Sequence, residues 1–138
     1  MILLDTDHLS ILRSDPSERR TRLTSRLAAV VGEEIGTTII TVEEQMRGWL
    51  ASIAKERQAH RQVRSYDELA DLFEFFADYH IVRFDKLAAD LCETYPRRIG
   101  ASDRKIAAIA ISQNALLLTA NRRDFEQVPG LRFDNWLD

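Results

Sequence analysis

Residues 2–7 read Ile2-Leu3-Leu4-Asp5-Thr6-Asp7. Three consecutive apolar residues without alternation suit a strand buried on both faces, and acids then end the run at once. The pattern returns at Leu116-Leu117-Leu118-Thr119, followed by Asn121 and Asp124. Weaker versions are Ile35 to Ile40, with Gly36 near its start and Glu43 and Glu44 beyond it, and Ile81-Val82 with Phe84. Leu131 to Phe133 fits a last short strand. Helical periodicity fills the gaps. It covers His8 to Arg13, with Asp7 as cap and Asp15-Pro16-Ser17 as break. It resumes over 18–31, with Leu23, Leu27 and Val30/Val31 on one side. A long helix follows over 42–64, opened by the capping box Thr41-Val42-Glu43-Glu44. The next covers 66–78, with Leu69, Leu72, Phe73 and Phe76 as its core stripe. Lys86 to Tyr95 is stopped by Pro96, and 103–113 is strongly apolar, with Ser102 or Asp103 at its cap. Strands alternating with helices imply right-handed crossovers. The expected fold is a three-layer α/β/α domain with a mostly parallel sheet of four to five strands.

The chain has 138 residues, one ordinary domain's worth, with 45% hydrophobic and 30% charged residues. No apolar run approaches the roughly 20 residues needed to span a bilayer. The apolar start meets Asp5 and Asp7 immediately, so a signal peptide or anchor is not expected. One cysteine, Cys92, excludes an internal disulfide and a Cys-based zinc cage, and His8, His60 and His80 are far apart. A cytoplasmic protein is the simplest reading. The net charge of −3 argues at face value against a nucleic-acid binder. Arginine nonetheless outnumbers lysine 16 to 3, and arginine grips phosphate bidentately.

In a parallel α/β sheet, ligands bind outside the carboxyl ends of the strands. Here those ends carry acids: Asp5 and Asp7, Glu43 and Glu44, then Asn121 and Asp124, with Asp103 opening a helix. Ile106, Ala107 and Ala110 share a face with Asp103, which aims its carboxylate at the sheet edge. Each acid has an ordinary reading as a cap, a turn residue or a solvated end. Their convergence on one edge has another, because clustered carboxylates repel unless a cation lies between them. Oxygen ligands without Cys or His favour Mg²⁺ or Mn²⁺, and such ions serve phosphodiester hydrolysis. Two bound divalent ions would turn the net charge from −3 to +1, so the acidic balance does not exclude a nucleic-acid substrate.

Four segments, in order, resemble the PIN-domain ribonucleases, specifically the VapC-type toxins of toxin–antitoxin pairs. They are Leu3-Leu4-Asp5-Thr6-Asp7, Thr41-Val42-Glu43-Glu44-Gln45-Met46-Arg47-Gly48, Ser102-Asp103 with Ile106-Ala107-Ala108, and Leu118-Thr119-Ala120-Asn121-Arg122-Arg123-Asp124-Phe125. The tail from Val128-Pro129-Gly130-Leu131 to Asn135-Trp136 is similar more loosely. Asp7 stands where Asn is frequent, Gln45 where Leu is usual, and Asn121 where some relatives have Asp. The resemblance implies a single PIN-like domain over 1–138 that cleaves RNA with Mg²⁺ or Mn²⁺. It implies catalytic Asp5, Glu44, Asp103 and Asp124, with Glu44 picked over Glu43. Asp5 and Asp103 would hold the first metal, and Asp124 with Asn121 would complete it or hold a second. Thr6 and Thr119 would orient carboxylates, and Arg122 and Arg123 would meet phosphate. A cognate antitoxin protein and a homodimer through helices around 18–31 or 42–78 are also implied.

Arg57, His60, Arg61 and Arg64 form one stripe of the long helix, either a solvated face, an RNA track or a surface for an acidic partner. Cys92 reads as a buried thiol, Trp49 and Trp136 as packing residues, and Trp136 as a tie for the C-terminal segment. Three alternatives compete. A PIN nuclease can serve RNA maturation instead of toxicity. Asp5-Thr6-Asp7 also mimics the Asp-x-Asp of haloacid-dehalogenase-type phosphatases, with Asp5 as nucleophile, but no late Asp-Asp pair follows. A response-regulator-like module would want a phosphoacceptor where Asp85 is a poor candidate.

Overall fold

The computed structural model describes residues 1–138. Strands β1 (Ile2–Leu4), β2 (Ile35–Thr38), β3 (His80–Val82), β4 (Leu116–Leu118) and β5 (Arg132–Asp134) form one sheet in the order β3-β2-β1-β4-β5. All four neighbouring pairs are parallel. The sheet places Leu3 in one apolar cluster and Ile2 and Leu4 in the other, the period-two alternation of a strand covered on both faces. Helices α1 (Thr6–Arg13), α2 (Glu18–Ala29), α3 (Ile39–Lys55), α4 (Ala59–Phe76), α5 (Lys86–Cys92), α6 (Ala101–Ser112) and the short α7 (Arg122–Phe125) complete the chain. One cluster gathers Ile106 and Ile109 of α6, Ala88 of α5 and Leu117. The other gathers Leu9, Leu23, Leu72, Phe76 and Leu118. The order of strand addition therefore reverses at β1, whose two neighbours are β2 and β4, and this switch point opens a crevice at the carboxyl ends of β1 and β4.

Gly36 is required where β2 meets β3. A Cβ there would lie 2.3 Å from the His80 carbonyl oxygen, so only glycine lets the two backbones pair.

Several expected boundaries shift. The strand begun at Ile35 ends at Thr38, because the Thr38 side chain caps α3 by accepting the Thr41 N–H; the Thr41 capping box does not form. The helix expected over 42–64 breaks at Glu56-Arg57-Gln58, and the chain re-enters as α4, absorbing the helix expected over 66–78. Gln62 closes this turn by donating to the carbonyls of Ile53 and Glu56. Arg57 thus lies in the turn, while His60, Arg61 and Arg64 are exposed on α4. Phe73 is 62% exposed instead of core, and Val31 is 92% exposed beyond the end of α2. Leu72 and Phe76 are buried as expected. Helix α5 ends at Cys92, which is half-buried against the α5–α6 core. Phe84 falls outside β3. Helix α6 starts at Ala101 with Gly100 at its cap, so neither Ser102 nor Asp103 caps it.

Candidate active site

Asp5 directly follows β1, and its N–H donates to the Leu118 carbonyl of β4 across the switch point. Asp5, not Asp7, caps α1. Its Oδ1 accepts the Thr6 N–H at 2.8 Å, and its Oδ2 accepts the Thr119 hydroxyl at 2.8 Å. Each oxygen keeps a lone pair for a further ligand. The residue is 6% exposed. Burial pushes its carboxyl up to about 6, reinforced by the negative Asp7 and Glu44 against the pull of those hydrogen bonds.

Asp7 has a different task. Its Oδ1 lies 2.5 Å from Nδ1 of the fully buried His8, and its Oδ2 accepts the Ala120 N–H at 2.8 Å. His8 Nε2 accepts the Trp136 N–H at 3.1 Å, which requires a lone pair there and so places the ring proton on Nδ1. Burial opposes the charged form of Asp7, but hydrogen bonds from His8 and Ala120 hold its carboxyl below the usual range. Asp7 is thus a structural anion that ties α1, the β4–α7 turn and the C-terminal segment together. Trp136 is buried, with Arg26 stacked 4.4 Å from its ring, as its expected anchoring role requires.

Glu44 and Glu43 face different partners. Glu44 Oε2 accepts the Thr6 hydroxyl at 3.0 Å, which joins α3 to the end of β1. Glu43 points outward and pairs with Arg47 one helical turn on. Asp103 and Asp124 share the amide of Asn121, whose Nδ2 donates to Asp103 Oδ2 at 3.0 Å and Asp124 Oδ2 at 3.3 Å. The Asp103 carboxyl is raised to about 7. Burial is the largest cause, followed by its contact with Asp124 and the negative charge of Asp5, Asp124 and Glu44. Asp103 therefore feels every other acid of the group, which brings Asp5, Glu44, Asp103 and Asp124 into one electrostatic cluster.

The cluster is short of positive charge, and its donors are all oxygen. No three Asp, Glu, His or Cys side chains close into a ready cage. An all-oxygen donor set is of the kind that takes Mg²⁺ or Mn²⁺. The neutral Asn121 amide bridges the Asp103 and Asp124 carboxylates by donating to both.

Two hollows flank the acids. One of about 360 Å³ is lined by Thr6, Glu44, Gln45, Gly48 and Trp49. The other, of about 590 Å³, is lined by Asn121, Asp124, Gln127, Arg98 and Arg123. Arg123 thus faces the acidic side, whereas Arg122 lies over the Phe133 ring, 6.0 Å from its centroid, and lines neither hollow. No residue of α4 lines either hollow, so the Arg61 and Arg64 stripe belongs to another face. Arg98 was missed by sequence reasoning, since it sits in the loop between α5 and α6 with no motif around it. The Asp7–His8–Trp136 chain was missed too. Its only local signal is an acid beside a histidine at the end of an apolar strand.

No helix is long and apolar enough to cross a membrane. Over a stretch of 58 residues the chain is 38% identical to Ribonuclease VapC2 of Haemophilus influenzae, a match spanning 42% of this chain and 43% of that relative. Among solved structures, FitAcB from Neisseria gonorrhoeae is 27% identical with a TM-score of 0.68, covering 99% of both chains. VapBC2 from Rickettsia felis, solved bound to a DNA fragment from their promoter, shares the fold at 22% identity, with a TM-score of 0.72 over 99% of both chains. The PIN domain family model matches residues 2–131. With a parallel sheet of that fold and an acid cluster at its switch point, the chain belongs to the PIN domain family.

Proposed function

We propose that this chain is a metal-dependent endoribonuclease, the toxin of a toxin–antitoxin pair, acting in the cytoplasm with Mg²⁺ or Mn²⁺. One observation carries the reading. Asp5, Glu44, Asp103 and Asp124 gather at the switch point, with Asp5 bonded to Thr119, Glu44 to Thr6, and Asp103 and Asp124 to the one Asn121 amide, and the crowding raises the Asp5 and Asp103 carboxyls. Asp5 and Asp103 hold the first ion, and Asp124 with Asn121 complete its shell or hold a second. A bound divalent ion supplies a Lewis acid that activates water and polarises a phosphodiester. The Thr119 hydroxyl and the Thr6 N–H fix the two oxygens of Asp5. The Thr6 hydroxyl holds Glu44 beside them, in place to orient water and take its proton. Arg123, with Arg98, offsets the charge of a phosphate entering the larger hollow. Arg122 adds long-range attraction for the RNA backbone.

The phosphatase alternative needs a free second acid in Asp5-Thr6-Asp7, and the Asp7 carboxylate is already engaged by His8 and Ala120. The toxin assignment is supported by the 38% identity to Ribonuclease VapC2, whose matched stretch is 43% of that protein, and by the VapBC2 and FitAcB structural neighbours. A cognate antitoxin protein is the partner this reading entails. The direct test is RNA cleavage by the purified chain. Cleavage is expected with Mg²⁺ or Mn²⁺, is stopped by EDTA, and falls at least 100-fold (an order-of-magnitude figure, roughly 3 kcal/mol) in Asp5→Asn. Full metal-dependent cleavage by Asp5→Asn overturns the assignment.

A further inference from the structure

The hollow on the Glu44 side of the acid cluster holds more than the cation chemistry uses. It is lined by Thr6 of α1 and by Glu44, Gln45, Gly48 and Trp49 of α3. Gln45 and Trp49 lie about one helical turn apart, as do Glu44 and Gly48, so α3 presents two neighbouring rows to the same space. Its volume of about 360 Å³ falls in the roughly 300–1,000 Å³ range of small-ligand sites.

Folding alone does not account for the lining. Trp49 is half-buried: it packs against the cluster that holds Val42 and Leu72, which steadies the indole, yet it also lines the hollow. Gln45 is half-buried too, and the side-chain hydrogen bonds of α3 leave out both its amide and the Trp49 Nε1–H. Gly48 sits in the middle of α3, where glycine weakens a helix, and a Cβ there would meet nothing within 4 Å. Packing does not demand a glycine at this position. Its missing side chain keeps the hollow open.

Charge decides what enters. The hollow on the Asp124 side is lined by Arg98 and Arg123 and by no apolar residue, which suits phosphate. The Glu44 side has no cation in its lining and carries the Glu44 carboxylate, so it repels phosphate. It suits a group that is neutral, flat and edged with donors and acceptors, since it offers an indole to stack on and an amide that both donates and accepts. A nucleobase has these properties, and a glutamine amide matches the N6/N7 edge of adenine bidentately. The two hollows flank the acids, so a strand cut there keeps its backbone by the arginines and turns the adjoining base toward Trp49.

We propose that this hollow is a nucleobase subsite: Trp49 stacks the base next to the scissile phosphate, Gln45 reads its edge in favour of adenine, and Gly48 leaves room for it. The inference rests on the RNA substrate of the proposed function and makes Gln45 and Trp49 specificity-determining residues. Nucleosides test it without phosphate, metal or cleavage. The chain has two tryptophans, and Trp136 is buried with its Nε1–H bonded to Asp134, so its indole resonance serves as an internal reference. In proton–nitrogen correlation spectra, millimolar nucleosides are expected to shift the Trp49 indole N–H saturably, adenosine most tightly, and to leave Trp136 in place. Gly48→Leu, whose side chain grows into the open space, is expected to abolish the shift. Gln45→Leu is expected to level the response to the four nucleosides. On RNA, Trp49→Ala is expected to raise KM roughly 5- to 100-fold, the worth of stacking one base, and by more than it lowers kcat. A Trp49 resonance that no nucleoside moves, or that moves equally in Gly48→Leu, overturns the proposal and leaves the hollow to a protein side chain. Cleavage with the wild-type KM in Trp49→Ala overturns it as well. Saturable nucleoside shifts in a chain that cleaves no RNA would remove the nuclease reading and leave the base subsite standing.

Discussion

Two acids two residues apart, Asp5 and Asp7, end with opposite electrostatics. Both are drawn out of water, but Asp7 collects enough donors to stay charged, while Asp5 is left beside negative neighbours. Such divergence is how similar groups acquire separate tasks. The same logic separates Glu44 from Glu43. The motif favoured Glu44, but only the fold turns Glu44 toward Thr6 and Glu43 toward Arg47. The two therefore differ in a paired test. Glu44→Gln is expected to lower kcat for RNA cleavage roughly 10- to 100-fold, costing about 1–3 kcal/mol in the transition state. Glu43→Gln loses only a surface pair worth well under about 1 kcal/mol and should leave kcat unchanged. Equal losses from both would remove Glu44 from the site.

The elements were legible wherever apolar pattern and punctuation agreed. Residues 2–4 and 116–118 announce buried strands, and the breaks at Asp15-Pro16-Ser17 and Pro96 were visible from residue types alone. The α3–α4 turn was not, because Glu56-Arg57-Gln58 contains neither Gly nor Pro. It is closed by contacts between helices, including the Ser52–Ser65 hydroxyl pair at 2.7 Å. The C-terminal segment is likewise held by long-range bonds. His8 receives the Trp136 N–H, and Arg22 donates to the Leu137 carbonyl. His8→Leu keeps the volume roughly but leaves a buried N–H without an acceptor and deprives Asp7 of its ring donor. The expected cost is about 2–3 kcal/mol. It should appear as a lower urea midpoint at unchanged slope, with faster amide exchange over 135–138. A wild-type midpoint in His8→Leu would show that this chain of hydrogen bonds anchors nothing.

The protein as a whole carries the strain of its acid cluster as a dependence on pH and cation. Asp5 and Asp103 bind protons more tightly folded than unfolded, so their contribution to stability is complete below the ordinary value of 3.8 and is lost as pH rises through about 6 and about 7. For Asp5 the loss is on the order of 3 kcal/mol. The metal-free protein is expected to melt at progressively lower temperature between about pH 4 and about pH 7, and to level off above that. Added Mg²⁺ should restore more of that loss at the upper end, where the carboxyls are ionised and binding releases no proton. Asp5→Asn should flatten the slope. A melting temperature that rises across this window would contradict the cluster's electrostatics. The net charge of −3 is accordingly a poor guide to substrate, since part of it is the proposed cation site.

The sequence by itself determined the kinds of element and their order, because burial of short apolar runs and helical periodicity are local properties of the chain. It also placed an acid after each of several strands. It could not say which strands are neighbours. Only the tertiary structure set β1 beside β4, and with that put Thr119 on Asp5, Ala120 on Asp7 and Asn121 between Asp103 and Asp124. The same packing pressed one side of α4 into the core and left Val63, Tyr66 and Phe73 outside. The physical reason is the same in each case. A residue's type sets the chemistry it can do, but its protonation, its partners and its exposure depend on what distant segments bring within a few ångströms of it.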